Sequence, residues 1–294
     1  MPARRRKRPP PPAPPRARTP ERLFVLGRGN LGRSLEWAFR AAGQSTSLVP
    51  GRTAFAKLPS FGIIFLAVPD QAVEVVAKKI ARFTPSPRLS FVHVSGSLGL
   101  GALDALRDHP VGSFHPLQSF PEARGEAAFQ GITVAVDAST PTLMRRLRAL
   151  ARAIGARPKH VEDRERALYH AAAVFASNYV DVVLAKAVDL LRDAGWSEKA
   201  AIEGLLPLTE GVLANVRLRG PIAALTGPVR RGDVSTVEGH LAALQGAPVA
   251  DAYRMLGLIA LEIAKEAGLE PAAARRMHRA LTQKVAATRR RRGK

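Results

Sequence analysis

The chain has 294 residues and a formal net charge of +21, with 45 lysines and arginines against 24 aspartates and glutamates. It contains no cysteine, which excludes disulfides, thiolate metal ligands and a cysteine nucleophile, and we expect no metal site. No run of about 18 uncharged apolar residues is present, so we expect no membrane span and a cytoplasmic protein.

Much of the positive charge lies in two terminal arms. Residues 1–20 carry seven basic residues and no acid, and residues 289–294 carry five basic residues. Residues 1–20 also hold eight of the 23 prolines, which predicts a disordered, proline-rich arm. Two interpretations of these arms stay open: they bind nucleic acid or acidic partners, or they are solvated tails.

Short apolar runs alternate with segments of helical periodicity between residues 21 and 162. Alternation of this kind is typical of an α/β Rossmann domain with a doubly wound parallel sheet. The predicted strands are residues 23–26, 47–49, 63–68, 89–94, 111–114 and 132–136, and the predicted helices are 31–42, 70–83 and 141–154.

Strand signals stop after about residue 162. Residues 163–288 are predicted to form an all-α domain that binds substrate and mediates dimerisation, followed by the basic tail 289–294. Its predicted helices are residues 164–192, 197–217, 249–267 and 271–288.

A glycine motif of the form G-x-G-x-x-G follows the first strand and opens the first helix. This is the context required of a dinucleotide-binding turn, in which glycines allow a tight turn and a close approach to the pyrophosphate. The helix N-terminus adds free N–H groups for the phosphates. The predicted cofactor-binding residues are Gly27, Arg28, Gly29, Asn30, Leu31 and Gly32, with Val68 and Pro69 at the end of the strand 63–68.

The residues after the second strand indicate which dinucleotide binds. An NAD site places an acidic residue about 20 residues beyond the motif. Arg52 stands there instead, next to Thr53, and no acid lies between Glu36 and Asp70. A guanidinium suits a 2′-phosphate, so the sequence favours NADP over NAD.

Polar residues at strand ends and on one helix are the candidates for the substrate side. Ser95 and His115 follow predicted strands, where ligands bind in doubly wound sheets. His170 and Asn178 interrupt the largely apolar helix predicted at 164–192. A histidine with an ordinary pKa near 6.5 is a suitable proton donor near neutral pH.

Several motifs together resemble a known family. The chain is similar, over about residues 22–287, to predicted oxidoreductases with a Rossmann-like domain and a helical domain of unknown function. These are relatives of ketopantoate reductase and pyrroline-5-carboxylate reductase in the 6-phosphogluconate dehydrogenase-like group. The motifs are residues 26–32 (LGRGNLG), 66–70 (LAVPD), 93–96 (HVSG), 112–120 (GSFHPLQSF), 169–179 (YHAAAVFASNY) and 224–233 (ALTGPVRRGD).

The resemblance implies roles for some residues. Asn178 matches a helix asparagine of ketopantoate reductase, but Val174 stands where that enzyme has its catalytic lysine. His170, one turn earlier, is the substitute on that face. His115 with Pro116 resembles a His-Pro pair that contacts substrate in prephenate dehydrogenases.

We therefore expect an NADP-dependent oxidoreductase acting on a carbonyl or imine carbon of a small, anionic substrate in an interdomain cleft. The expected catalytic residues are His170 and His115, with Asn178 and Ser95 orienting the substrate, in a homodimer formed through the helical domain. Two alternatives remain: a regulator that binds NADP without turnover, and a protein that binds nucleic acid through its basic arms.

Overall fold

A computed structural model describes residues 22–50 and 58–283. The predicted arms, 1–20 and 289–294, lie outside these ranges. The chain divides into two units between Tyr179 and Val180. This division falls later than the domain boundary predicted after residue 162, because Tyr169 and Arg166 are both hydrogen-bonded to residues of the sheet.

The first unit contains a seven-stranded sheet in the order β2-β1-β3-β4-β5-β6-β7. Neighbouring strands are parallel except β5 and β6, which are antiparallel. The predicted doubly wound Rossmann-like fold is confirmed. The strands are β1 (Arg22–Leu26), β2 (Ser45–Val49), β3 (Gly62–Leu66), β4 (Leu89–His93), β5 (Val111–Pro116), β6 (Thr133–Ala138) and β7 (Arg157–His160).

Within residues 22–50 and 58–283, four α-helices end before the division between the units and six more end after it. The four are α1 (Asn30–Ala41), α2 (Asp70–Ala81), α3 (Pro141–Ala153) and α4 (Arg166–Ala176). The others are α5 (Asn178–Asp193), α6 (Glu198–Ala224), α7 (Pro228–Arg231), α8 (Val234–Ala243), α9 (Val249–Glu266) and α10 (Pro271–Thr282). The predicted all-α C-terminal region is confirmed.

The central strands are apolar because both faces of the sheet are covered. All five residues of β3 are buried. On one face Phe39 of α1 packs against Phe65 and Phe114, with ring centroids 5.1 and 5.9 Å away. On the other face Ile80 of α2 belongs to the core. This core fixes the carboxyl ends of the strands, where the candidate site lies.

The single long helix predicted over residues 164–192 is wrong. The chain leaves helical geometry at Ser177, where φ is −125° and ψ is −77°, so α4 and α5 are separate helices. Ser177 and Asn178 are residue types whose side chains compete for backbone hydrogen bonds, which makes the pair a suitable place for a break.

The second unit has a small core that leaves two of its helices uncovered. The core is formed mainly by α8, α9 and α10 and includes Leu241, Leu261 and Met277. In contrast, α5 has no buried residue and α6 has only Ala201 within the described chain. The backbone of α6 is also interrupted at Gly220, where φ is 76°.

One segment, Asp163–Asp193, is long and apolar enough to cross a membrane by length and composition alone, and its most apolar window is uncovered in this chain. No such span is predicted from the sequence, which has no run of about 18 uncharged apolar residues. The break at Ser177 divides this segment into helices of 11 and 16 residues. Each is shorter than the roughly 20 residues that a membrane-spanning helix needs.

Candidate functional site

The glycine motif lies between the carboxyl ends of β1 and β3. The strand order reverses at this point, which is where ligands bind in doubly wound sheets. A Cβ at Gly27 would lie 2.0 Å from the carbonyl oxygen of Ala67, and φ at Gly27 is +127°. A Cβ at Gly32 would lie 2.2 Å from the carbonyl oxygen of Gly27. Both positions therefore need glycine for packing within the turn.

Gly29 differs from the other two glycines because it faces open space. A Cβ there would meet nothing within 4 Å among the described residues. Gly29 is the N-cap residue of α1, and no side chain caps this helix. It borders a cavity of about 640 Å³ that is lined by Gly27, Arg28, Gly29, Ala67, Val68, Pro69, Ala72, Val75, Val76 and Lys79. The turn thus combines an uncapped helix N-terminus with room for an anion.

The other predicted cofactor residues are placed differently. The amide of Asn30 donates to the carbonyl oxygens of Phe120 and Pro121, the second at 2.7 Å, so it anchors the chain that follows β5. Leu31 is half-buried and packs against the core. Arg52 and Thr53 lie outside the described residues.

A second cavity, of about 620 Å³, brings together three of the four predicted catalytic residues, His115, His170 and Asn178. Tyr169 also lines it. The remaining lining residues are Leu117, Gln118, Ser119, Ala172, Ala173, Val174, Ala176 and Ser177. All of them lie in the first unit.

His115 is held by two neighbours at the end of β5. Its Nδ1 lies 2.8 Å from the hydroxyl oxygen of Tyr169, and the two rings are perpendicular. A Cβ on Gly96 would lie 2.7 Å from Cε1 of His115. Burial, followed by the charges of His170 and Arg166, lowers the pKa of His115 from 6.5 to about 4, and the charge of Asp70 opposes this shift. At neutral pH the ring is therefore uncharged.

Ser95, the fourth predicted catalytic residue, is turned into the protein. It is buried, and its hydroxyl donates to Asp70 Oδ2 at 2.8 Å. Ser97 donates to the same oxygen at 2.7 Å. The backbone N–H groups of Ser97 and Leu98 lie 3.2 Å from the Ser95 hydroxyl, which accepts from them. Ser95 is therefore not among the residues that line the cavity.

A buried arginine, Arg166, contacts β5, the strand that ends at His115 and Pro116. Arg166 is 1% exposed, its Nη2 donates to the Ser113 hydroxyl, and its Nε donates to Asp163 Oδ1 at 3.3 Å. Within the described chain, Arg166 Nη1 and both ring nitrogens of the buried His93 have no hydrogen-bond partner. Burial, followed by the charge of Arg166, lowers the pKa of His93 to about 4.

Sequence reasoning missed three residues of this region: Tyr169, Arg166 and Lys79. Tyr169 precedes His170 in the family-like motif, which was the one available signal. Arg166 carried no signal, because an arginine at a helix start is ordinarily solvated. Lys79 lies on α2, and no sequence motif connects that helix with the glycine turn.

Part of the chain matches a known family of protein domains. Residues 132–259 match a family described as a domain of unknown function, DUF2520. No curated protein matches the sequence. The predicted resemblance to Rossmann-like oxidoreductases with a domain of unknown function is confirmed by this match together with the solved structures that follow.

Several solved structures share the fold. A candidate NADP oxidoreductase from Bacteroides fragilis has a TM-score of 0.69 and 22% identity, over 84% of this chain and 98% of that chain. A protein from Thermotoga maritima has a TM-score of 0.66 and 20% identity, over 83% and 99%. A pyrroline carboxylate reductase from Plasmodium falciparum, solved with NADP bound, has a TM-score of 0.56 and 13% identity, over 89% and 98%. The chain therefore has the fold of NADP oxidoreductases.

Proposed function

We propose that the protein is an NADP-dependent oxidoreductase whose substrate is a small anionic molecule with a carbonyl or imine carbon. The observation that carries this proposal is the open face of Gly29 at the uncapped start of α1, between β1 and β3. The pyrroline carboxylate reductase that shares this fold was solved with NADP, which supports the choice of ligand.

The residues present fit a dinucleotide. The backbone N–H groups at the start of α1 are placed to hold a pyrophosphate, and Arg28 and Lys79 add positive charge around the cavity. Arg52 is assigned to the 2′-phosphate on its sequence position. When bound, the nicotinamide supplies the hydride, and the protein contributes position and a proton donor.

The second cavity is the proposed substrate site. His115 and His170 line it together with the polar residues Gln118, Ser119 and Asn178. Asn178 is exposed, so its amide is free to orient a polar substrate group. Residues 21–288 keep more basic than acidic residues, which favours an anionic substrate.

Replacing Gly29 by alanine tests the cofactor site. The backbone of Gly29 is extended, with φ −68° and ψ 176°, and a methyl group has room, so the variant should fold normally. The methyl group would lie where the phosphates approach, and NADPH affinity measured by fluorescence titration should fall by about 10-fold or more.

Gly125→Ala is the matched control. Gly125 is also an N-cap residue with an extended backbone, φ −71° and ψ −171°, and no described atom within 4 Å of an added Cβ. This variant should bind NADPH like the wild type. Equal NADPH affinity in Gly29→Ala and Gly125→Ala, or no binding by the wild-type chain, would contradict the proposal.

A further inference from the structure

The hydrogen bond between Tyr169 and His115 joins a hydroxyl group and an imidazole group of residues that line the same cavity. Tyr169 Oη lies 2.8 Å from His115 Nδ1, and both residues border the same space as His170. Neutral imidazole carries one N–H, so His115 can donate to Tyr169 Oη from Nδ1 while accepting a proton at Nε2. In that tautomer the Tyr169 O–H is available to a group in the cavity.

We propose that Tyr169 is the proton donor of this site and that His115 is the residue that restores its proton. This inference rests on the proposed function, because it names the acid of that same reaction. It differs from the expectation that a histidine donates directly.

Electrostatics favour a tyrosine over a charged histidine at this position. The groups that act on His115 are His170, Arg166 and Asp70, and the two basic groups together with burial hold the ring uncharged. Burial raises the pKa of Tyr169 to about 12, so the phenol keeps its proton at neutral pH. A relay through neutral groups avoids a second positive charge beside the buried Arg166.

The proton transfer is balanced in three steps. As the carbon of the C=O or C=N group accepts the hydride, its π electron pair moves to the oxygen or nitrogen, which takes the proton of Tyr169 as the Oη–H bond breaks. Tyr169 Oη then takes the proton from His115 Nδ1 while His115 Nε2 takes a proton from a water molecule, so no imidazolate forms and hydroxide is released to solvent. The imidazole and phenol are then neutral again, and the imidazole returns from its other tautomer when its ring proton exchanges with solvent.

The first test needs no cofactor. Long-range ¹H–¹⁵N NMR spectra of the full chain should show His115 as a neutral ring whose Nδ1 resonance moves in Tyr169→Phe. Tyr179→Phe is the matched control, because Tyr179 lies near Tyr169 in sequence but does not line the cavity. An unchanged Nδ1 resonance in Tyr169→Phe would overturn the relay.

The second test measures turnover with NADPH and a panel of 2-oxo acids and cyclic imino acids. With the compound that the wild type reduces fastest, Tyr169→Phe should lower kcat by about 10²- to 10⁴-fold, the usual contribution of a general acid. NADPH affinity should stay unchanged, and Tyr179→Phe should keep wild-type kcat.

The outcomes separate this inference from the proposed function. A wild type that reduces a compound, together with a Tyr169→Phe variant of equal kcat, overturns the role of Tyr169 and leaves the oxidoreductase standing. A wild type that reduces nothing in the panel overturns both. Thermal unfolding of the variant checks that loss of kcat is not loss of folded protein.

Discussion

Gly96 and His115 are in direct contact: a Cβ on Gly96 would lie 2.7 Å from Cε1 and 2.8 Å from Nε2 of the imidazole. Because real Cβ atoms do not approach so closely, the ring can occupy its place only if residue 96 has no side chain. The loop after β4 thus fixes the position of a residue at the end of β5.

Gly96→Ala should therefore displace His115 from Tyr169. We expect kcat to fall by about 10²-fold, the order of loss that a displacement of about 1 Å produces in an active site. NADPH affinity should be unchanged, since Gly96 does not line the cavity beside Gly29. Steady-state kinetics and NADPH titration check both statements. Wild-type kcat in Gly96→Ala would show that the position of His115 is unimportant.

Arg52→Asp should weaken NADPH far more than NADH. A hydrogen bond to a charged group contributes about 1.5–3 kcal/mol, so we expect a loss of about 10- to 100-fold for NADPH. Titration of both nucleotides measures the difference. Arg145→Asp, at an exposed arginine of α3, is the control for change of net charge. Equal losses for NADPH and NADH in Arg52→Asp would refute the assignment of Arg52 to the 2′-phosphate.

We propose that a second copy of the chain covers α5 and α6. Val183 of α5 and Leu208 and Leu213 of α6 are 49%, 66% and 58% exposed. A helix that is apolar on most sides is normally buried. We expect the wild type to be a dimer by light scattering and Leu208→Glu to be a monomer. Trp37→Glu, at an exposed apolar residue of α1, should remain a dimer.

A membrane is the competing explanation for these exposed helices. Vesicle flotation of the wild type distinguishes the two. A monomeric wild type that floats with phosphatidylcholine vesicles would contradict the dimer, and so would a dimer that Leu208→Glu leaves intact.

Acid should destabilise the protein between pH 6.5 and about 4. His93 and His115 have folded-state pKa values of about 4, below their usual 6.5, mainly because of burial. The unfolded chain binds more protons in this window, so the free energy of unfolding falls as the pH falls through it. The stability that these neutral rings contribute is fully present above pH 6.5. Urea unfolding at a series of pH values measures this slope.

His93→Leu should reduce the slope. The ring nitrogens of His93 make no hydrogen bond of ordinary geometry in the described part of the chain, so an apolar side chain removes the proton-binding difference at little cost in hydrogen bonding. His278→Gln, at an exposed histidine of α10, should leave the slope unchanged. An identical slope in His93→Leu and the wild type would contradict the role of buried histidine.

The sequence predicted the parts of the fold that depend on local pattern. The apolar runs indicated six strands of the sheet, and Gly27, Gly29 and Gly32 identified the turn at the β1 and β3 ends. The seventh strand escaped prediction because Arg157, Lys159 and His160 lack an apolar pattern. Strand direction also has no local signal, so the reversal between β5 and β6 was not foreseen.

The sequence could predict candidate residues of the site from their positions along the chain, but not the long-range contacts that their side chains make. His115, His170 and Asn178 were proposed from their positions, and they line one cavity. Ser95 was expected to face substrate, but its hydroxyl donates a hydrogen bond to Asp70 and the residue does not line the cavity. The role of Arg166 depends on its burial beside Ser113, which is a long-range contact that periodicity cannot report.

The antiparallel pairing of β5 and β6 ends just before an exposed stretch of the cavity wall. Leu117 N donates to Thr133 O at 2.8 Å, which secures the chain immediately after His115. Gln118 and Ser119 follow as exposed residues that line the cavity. Substitutions in this stretch can therefore change the shape of the cavity while His115 keeps its position.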